Sequence, residues 1–207
     1  MAKGFIDIVP AESLHDRLKL SPNDPSLESS FKPLGEWSPQ TDDAPILRYL
    51  FRHLQPRRHI EFGPSPDASP AYCLDECQAT IWRTSPPRTA APAAVSDGVG
   101  HRLWQRFGDS GDWDRTTFSA GFFDSALING GGTVDRVLDD TRTALSLVRP
   151  GGLIIWRDFC PDPGLFDVFD SVDVMVRGVV GNWKELKASL DDAFWIRPSL
   201  LLAAIRR

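Results

Sequence analysis

The chain has 207 residues, of which 42% are hydrophobic, and this is enough for one domain with a full apolar core. Its 28 acidic and 23 basic residues give a formal charge of −5, and the only adjacent basic pairs are Arg57-Arg58 and Arg206-Arg207, which argues against a nucleic-acid footprint. No apolar stretch approaches the roughly 20 residues that cross a bilayer, and the first residues lack a signal-peptide core. We therefore expect a soluble, cytoplasmic protein without nucleic-acid or membrane partners.

Residues 1–40 are predicted to form an N-terminal helix and an extended arm. A short amphipathic helix comes first, and residues 21–40 are rich in Pro and Ser, which is typical of an arm that joins a helix to a main domain. An α/β domain is predicted for residues 41–207. Its first helix runs from about Asp42 to Leu54, because apolar residues follow the helical spacing there and Pro56 ends it.

The next segment predicts a strand, a loop and a helix. The strand is Arg58-His59-Ile60-Glu61-Phe62, the loop is Gly63-Pro64-Ser65-Pro66-Asp67, and the helix runs from Pro70 to Cys77. This order is typical of the first strand of a doubly wound α/β domain, in which a ligand lies beyond the carboxyl ends of the strands. Loops of the Gly-x-Gly-x-Gly type use glycine so that backbone N–H groups can approach the ligand. Here one glycine remains, and the two prolines have no N–H to donate.

The remaining elements alternate between strands and helices. A strong amphipathic helix is predicted at residues 133–148, followed by a strand at residues 153–156 that is apolar enough to be buried on both faces. Strand, helix and strand in close succession imply a right-handed parallel crossover. The other predicted strands are Ala79–Arg83, Trp104–Phe107, Phe123–Ile128 and one or two in the tail at 194–198 and 200–205.

Three cysteines and four dispersed histidines are the candidates for a metal site of the zinc type. Cys73 and Cys77 are four residues apart on a predicted helix, so their side chains are neighbours on one face. Zinc sites usually need four clustered ligands, and Cys160 and the histidines show no such spacing. Buried thiols are the better interpretation, and no metal ligand is assigned.

Three segments occur in an informative order. Ile60-Glu61-Phe62-Gly63 comes first, Phe107-Gly108-Asp109-Ser110 follows, and the region from Phe123 to Pro161 contains Leu-Ile-Asn-Gly-Gly-Gly and then Arg-Pro-Gly-Gly-Leu-Ile-Ile-Trp-Arg-Asp. Together they resemble class I S-adenosylmethionine-dependent methyltransferases, most of all the small bacterial proteins related to sugar and antibiotic O-methyltransferases. The similarity spans roughly residues 43 to 207. It implies a doubly wound, mostly parallel seven-stranded Rossmann-like sheet with a reversed final strand.

The resemblance also implies a set of residues that bind the cofactor, S-adenosylmethionine. Glu61 and Gly63 match the acidic residue and the first glycine that hold its methionine end, and Ser65 stands in the same loop. Asp109 and Ser110 match the pair that often borders the adenine. Asp109 could equally be a turn residue, since Gly-Asp-Ser-Gly-Asp predicts a tight turn by composition alone.

Proton removal is the chemistry that side chains must add. Methyl transfer from a sulfonium is an in-line displacement, so an enzyme holds donor and acceptor in line and takes a proton from the acceptor. No histidine follows His101. Asp158, which matches the acidic residue after the fifth strand of the family, is the candidate base, and Asp135 and Asp162 are more distant candidates. A turn or helix cap is the alternative role for Asp158.

Several positions depart from the family pattern. Asn129, a candidate cofactor contact, stands where relatives commonly carry an aspartate, and Gly132 and Arg157 replace two frequent histidines. Arg83-Thr84-Ser85 replaces the carboxylate that usually takes the ribose hydroxyls. Relatives that use Mg²⁺ gather carboxylate and amide oxygens at these strand ends. Asn129 and Asp158 could supply two ligands, but Arg157 would oppose a divalent cation, so Mg²⁺ is not expected.

Two functions fit these residues. The first is a methyltransferase that transfers a methyl group to a small hydroxylated or amino acceptor. The second is a degenerate relative without catalysis that acts as a scaffold, a regulatory partner or a binder of another small ligand. The first is favoured because Glu61, Gly63, Asp109 and Asp158 are all retained. A buried Glu61 needs a partner, which could be the cofactor amine, a lysine or a backbone N–H. Residues 175–180 could pack a homodimer, and an ordinary core helix explains them too.

Overall fold

The computed structural model describes residues 6–20, 43–63, 69–85, 100–107, 117–129, 132–161 and 170–207. Strands and helices alternate along most of this length. The strands are β1 (Asp7–Pro10), β2 (Arg58–Phe62), β3 (Thr80–Ser85), β4 (Leu103–Phe107), β5 (Phe123–Ile128), β6 (Val148–Arg157), β7 (Leu190–Arg197) and β8 (Leu201–Arg206). The helices are α1 (Leu14–Leu18), α2 (Ala44–Leu54), α3 (Ser69–Glu76), α4 (Val134–Leu147), α5 (Asp170–Val180) and α6 (Trp183–Leu186).

One sheet joins these strands in the order β1-β7-β8-β6-β5-β2-β3-β4. Strand β8 is antiparallel to both of its neighbours, β6 and β7, and the other neighbouring pairs are parallel. This confirms the doubly wound, mostly parallel sheet with a reversed final strand. Within the described residues the sheet has eight strands rather than seven, because β1 pairs with β7 at the outer edge.

The N-terminal segment differs from its prediction. The predicted helix is present as α1, but β1 precedes it and adds residues 7–10 to the sheet. Pro10 is tolerated in β1 because an edge strand has one side without ladder hydrogen bonds. Arg17 of α1 donates to Asp7 (2.6 Å) and to Asp192 of β7 (2.8 Å), which fixes α1 against this edge. The predicted arm at residues 21–40 lies outside the described residues.

Helices cover both faces of the sheet, and the apolar core is therefore double. Successive residues of a strand point to opposite faces. Ile154 and Trp156 of β6 belong to the cluster on the side of α4 and α5, whereas Leu153 and Ile155 belong to the cluster on the side of α2 and α3. The indole N–H of Trp156 donates to the Thr141 hydroxyl of α4 at 2.9 Å, so this buried polar atom is satisfied.

Strand β6 begins earlier than predicted. It starts at Val148, directly after α4, and the Pro-Gly-Gly turn lies within its bounds instead of before it. A Cβ on Gly152 would lie 2.5 Å from the Val148 side chain and 2.7 Å from the Asp124 carbonyl oxygen. Glycine is therefore required for the close approach of β6 to β5 at this point.

Position in the fold decides the exposure of two further segments. Trp104 is 63% exposed, because β4 is the outermost strand on its side of the sheet. Met175 and Val179 of α5 are fully buried, so this segment is a core helix. In the parts of the chain that the structure describes, no helix combines the length and the apolar character of a membrane span.

Candidate functional site

The candidate site lies where β2, β5 and β6 end beside one another. Phe62 is level with Ile128 in the register of β2 and β5, and Ile128 is level with Trp156 of β6. The residues that follow these three therefore reach the same edge of the sheet. The topology accordingly brings together Gly63, Asn129 and the Arg157-Asp158 pair, as the sequence predicted for a doubly wound domain.

Gly63 and Asn129 are in close contact at this edge. The Asn129 backbone N–H donates to the Phe62 carbonyl oxygen at 2.8 Å, which extends the pairing of β2 with β5 by one residue. Gly63 has a φ of +110°, and a Cβ there would lie 3.0 Å from the Asn129 carbonyl oxygen and 3.1 Å from its Cβ. Both the backbone conformation and the space demand glycine. This is the one glycine that survives from the expected loop.

Glu61 is fully buried and is held by three side chains. The Ser69 hydroxyl of α3 donates to its Oε2 at 2.9 Å, Nε2 of His59 lies 3.6 Å from its Oε1, and Nε of Arg83 lies 3.8 Å from its Oε2. The other ring nitrogen of His59 lies 2.8 Å from the Ser125 hydroxyl of β5. These side chains form a buried polar cluster on the α2 and α3 side of the sheet, and we call it the Glu61 cluster.

The charges of the Glu61 cluster favour the ionised carboxylate. Burial alone would raise the pKa of Glu61, but the His59 ring, the positive charge of Arg83 and the Ser69 hydroxyl together hold it below its usual value. The partner that a buried glutamate needs is therefore supplied by side chains of the protein, and none of them is the predicted lysine or backbone N–H. Its Oε1 nevertheless accepts no hydrogen bond from the described residues.

Asn129 also has a side-chain oxygen that accepts no hydrogen bond within the described residues. Its side-chain N–H donates to the Phe62 carbonyl oxygen at 3.3 Å, whereas its Oδ1 is buried and makes no hydrogen bond within the described part of the chain. A buried amide oxygen without a donor costs free energy of about 1–3 kcal/mol. Asn129 Oδ1 and Glu61 Oε1 are thus two buried acceptors near the strand ends that a ligand N–H or O–H could satisfy.

Asp158 follows β6 and contacts the helix layer of α4 and α5, on the other side of the sheet from the Glu61 cluster. It adopts a left-handed backbone with φ of +63°, and its side chain accepts a hydrogen bond from Ser171 of α5. Burial raises its pKa, against the opposing charge of Arg157 and the Ser171 hydroxyl. A raised pKa makes Asp158 a stronger base than an exposed aspartate, but its carboxylate contacts α5 whereas Glu61 contacts α3.

Asp43 is a site residue that the sequence did not indicate. It lies just before α2, is fully buried, and accepts the Leu200 backbone N–H at 3.1 Å. Its other carboxylate oxygen lies 3.6 Å from Nε of Arg157. Burial and the nearby charge of Asp158 raise the pKa of Asp43 to about 7, although Arg157 and the Leu200 N–H oppose the shift. The sequence suggested that the positive charge of Arg157 would repel a divalent cation. In the structure this charge is paired with the Asp43 carboxylate.

The remaining predicted site residues are not all visible. Ser65, Asp109, Ser110 and Asp162 lie outside the described residues, and Asp135 is exposed in the first turn of α4. Across the described residues there is no group of three or more His, Cys, Asp or Glu side chains that could hold a metal ion.

One of the missed partners of Glu61, His59, had a signal in the sequence. His59 and Glu61 are two residues apart in a strand, so they must share a face. Arg83 is level with Glu61 in the register of β2 and β3, but this pairing depends on the order of strands in the sheet. Asp43 had no signal, since its partners Arg157 and Leu200 are far away in the chain.

Solved structures share this architecture. The cofactor-bound Rv0187 from MTB has a TM-score of 0.61 and 19% identity over 96% of this chain and 98% of its own. The O-methyltransferase TomG from Streptomyces achromogenes, solved with SAM, has a TM-score of 0.56 and 19% identity over 100% and 94%. The SAH-bound methyltransferase PaMTH1 from Podospora anserina has a TM-score of 0.60 and 14% identity over 100% and 92%.

These matches define the class of the fold. The chain has the fold of the class I S-adenosylmethionine-dependent methyltransferases, over nearly its full length and nearly the full length of each of these proteins. No protein-family model matches the sequence, and no curated protein matches it. With identities below 20%, the chemistry of this chain must be argued from its own residues.

Proposed function

We propose that the protein is a methyltransferase that uses S-adenosylmethionine to methylate a small hydroxylated or amino acceptor. The observation that carries the proposal is the pair of buried acceptors, Glu61 Oε1 and Asn129 Oδ1, beside a glycine that leaves no room for a Cβ. They lie at the carboxyl ends of β2 and β5, the edge at which doubly wound sheets bind ligands. The neighbours named above were solved with a cofactor, SAM or SAH.

The residues fit the amino-acid end of this cofactor. An ammonium group is a donor without acceptor capacity. Asn129 Oδ1 makes no hydrogen bond within the described residues, and Glu61 Oε1 faces Nε2 of His59 only at 3.6 Å, beyond hydrogen-bond distance. Gly63 would provide the close backbone approach. When bound, S-adenosylmethionine supplies an electrophilic methyl group on a sulfonium. The protein then has to hold the acceptor, exclude water and receive a proton.

Asp158 is the residue that we propose to receive the proton. General bases work best when their pKa lies near the operating pH, and burial moves the pKa of Asp158 upward in that direction. The hydrogen bond from Ser171 orients the carboxylate. Asp43 has a pKa of about 7, but it is fully buried and bonded to the β7–β8 turn, so we assign it a supporting role.

The alternative of a fold without catalysis is favoured by one observation. Arg83, His59 and Ser69 already neutralise and hold Glu61, so the carboxylate is stable without any ligand. The guanidinium of Arg83 stands on β3 close to the position of the missing ribose-binding carboxylate. In a scaffold, a regulatory partner or a binder of another small molecule, the Glu61 cluster would only stabilise the fold.

Calorimetric titration with S-adenosylmethionine, and separately with S-adenosylhomocysteine, decides between these functions. Micromolar binding is expected, with the same affinity when Mg²⁺ is added. The variant Gly63→Val should lose this binding, because a branched side chain at φ of +110° would meet Asn129. Gly132→Val is the matched control, since Gly132 also has positive φ but only Arg136 side-chain atoms near it, at 3.9 Å or more.

Absence of heat and of a thermal shift at millimolar ligand would reject the methyltransferase proposal. The search would then turn to protein partners and other small ligands. Binding that survives in Gly63→Val would place the ligand elsewhere on the molecule. A screen of hydroxylated and amino acceptors with the radiolabelled methyl donor follows only if the wild-type protein binds.

A further inference from the structure

Two thiols lie side by side at the end of α3. Sγ of Cys73 is 3.6 Å from Sγ of Cys77, and the Cys77 backbone N–H donates to the Cys73 carbonyl oxygen at 3.1 Å. Both residues are buried, with exposed fractions of 0% and 4%. Cys77 comes directly after the last residue of α3 and is followed by the exposed Gln78. This thiol pair takes no part in the proposed methyl transfer.

The backbone geometry suits a covalent bond between the two sulfur atoms. Residues four apart in a helix are separated by about 6 Å along its axis, within the roughly 4.4–6.8 Å that disulfides span between Cα atoms. The sulfur atoms would have to approach by about 1.5 Å to reach the S–S bond length of about 2.05 Å. Cys77 can provide this movement because the regular helix has ended at Glu76.

The surroundings distinguish the two thiols. Either thiol can donate to the other, and the Cys77 thiol also lies 3.2 Å from the Cys73 carbonyl oxygen, to which it can donate. The Cys73 side chain, the Ala79 backbone N–H and the charge of Arg102 lower the pKa of Cys77 to about 7, although burial opposes this. Burial and the neighbouring Cys77 sulfur raise the pKa of Cys73. Arg102 is fixed here by donating to the carbonyl oxygens of Leu74 (2.8 Å) and Cys77 (2.8 Å). Cys77 is therefore the nucleophile of the pair and Cys73 the resolving thiol.

We propose that Cys73 and Cys77 are an oxidisable dithiol that a hydroperoxide converts into an intramolecular disulfide. In the first step the Cys77 thiolate attacks a peroxide oxygen, the O–O bond breaks, and the leaving hydroxide or alkoxide takes up a proton. Cys77 is then a sulfenic acid. In the second step the Cys73 sulfur attacks the Cys77 sulfur, the S–S bond forms, the S–O bond breaks, and the hydroxyl leaves as water with the Cys73 proton. Two thiols lose two electrons, and the peroxide gains them.

Hydrogen peroxide treatment of the full chain tests this proposal. After treatment the protein is denatured, its remaining thiols are blocked with N-ethylmaleimide, and its intact mass is measured with and without prior reduction. The expected product is a monomer that has lost two hydrogen atoms and carries one maleimide adduct, at Cys160. Peptide mapping should find Cys73 and Cys77 linked in one peptide. Cys160 is the internal reference, since it is equally buried but lies in the core cluster on the other side of the sheet.

Variants assign the roles of the two residues. Cys160→Ala should oxidise like the wild-type protein and then accept no adduct. Cys73→Ser should stop at a sulfenic acid that dimedone traps on Cys77, and Cys77→Ser should lose reactivity at least tenfold. Three maleimide adducts on peroxide-treated wild-type protein would overturn the proposal, as would oxidation of Cys160 at the same rate. This result does not depend on the titration with S-adenosylmethionine, and it stands on the wild-type protein even if a serine variant misfolds.

Discussion

The ends of β2 and β6 both hold carboxylates that are largely withdrawn from solvent, but their pKa values shift in opposite directions. Glu61 at the end of β2 shares its space with two basic side chains, His59 and Arg83, and its pKa is lowered. At the end of β6, Asp43 and Asp158 share the single Arg157, and the pKa of each is raised. Burial by itself raises the pKa of a carboxyl group. The hydrogen bonds and charges around each carboxylate therefore decide the sign of its pKa shift.

This difference separates a binding role from a proton-transfer role. An ionised Glu61 suits contact with a cationic ligand group at any pH near neutrality. Carboxyl groups with raised pKa values suit proton uptake. The linkage to folding also has opposite signs: the stabilisation from Glu61 is lost as pH falls through its folded pKa, and that from Asp43 is lost as pH rises through about 7.

The largest effect is expected from removing the Arg83 guanidinium beside Glu61. Arg83→Met should lower the free energy of unfolding by about 3–5 kcal/mol, because it leaves a buried carboxylate with less compensation. Urea unfolding monitored by tryptophan fluorescence measures the change. Arg106→Met on the exposed side of β4 is the control and should change stability by less than about 0.5 kcal/mol. Equal stability of the two variants would mean that Arg83 does not support Glu61.

A second test measures how the stability of the fold depends on pH through Asp43, which contacts Arg157 at the end of β6. Asp43 binds its proton more tightly in the fold than in the unfolded chain, so the wild-type protein should lose stability as pH rises from 4 to 8. Asp43→Asn should remove about 2–4 kcal/mol of this dependence, since three pKa units at about 1.4 kcal/mol each set the upper bound. Urea midpoints across this range measure it.

Asp139→Asn serves as the control for this pH series. Asp139 is an exposed carboxylate of α4, and its replacement should leave the pH profile of the wild-type protein unchanged. If Asp43→Asn also follows the wild-type profile, Asp43 is ionised throughout this pH range. Its neighbours would then hold the pKa of this buried carboxylate low, as they do for Glu61.

The third test asks whether Asp158 receives the acceptor's proton during methyl transfer. Asp158→Asn should reduce methyl transfer at least tenfold, which corresponds to about 1.4 kcal/mol of transition-state stabilisation, with little change in the affinity for S-adenosylmethionine. Single-turnover kinetics and calorimetry measure the two quantities separately. Turnover equal to that of the wild-type protein would remove Asp158 from the mechanism and leave it as a turn residue.

The smallest expected effect on stability comes from removing the Ser125 hydroxyl that contacts His59. Ser125→Ala removes the hydroxyl that contacts Nδ1 of His59 at 2.8 Å, at a cost of about 0.5–1.5 kcal/mol of stability. Differential scanning calorimetry measures it, and Ser119→Ala at an exposed position is the reference. No difference between them would show that the ring of His59 is held by Glu61 and packing alone.

The sequence predicted the elements better than it predicted the partners of the site. The amphipathic helix and the apolar strands were found because their periodicity is local, and the fold class followed from their order. Buried thiols were also predicted correctly, since spacing on a helix is a local property. The strand β1 was missed because four residues that include Pro10 carry too weak a pattern, and its pairing with β7 joins residues from the two ends of the chain.

The sequence by itself determined the α/β order, the glycine at position 63 and the acidic residue two positions before it, because each depends on residues close together in the chain. Only the tertiary structure decided the charge state of the site. The register of β3 against β2 brings Arg83 to Glu61, and the β7–β8 turn brings Leu200 to Asp43. A pKa depends on burial and on charges within a few ångströms, and those neighbours come from distant segments that only the folded chain brings together.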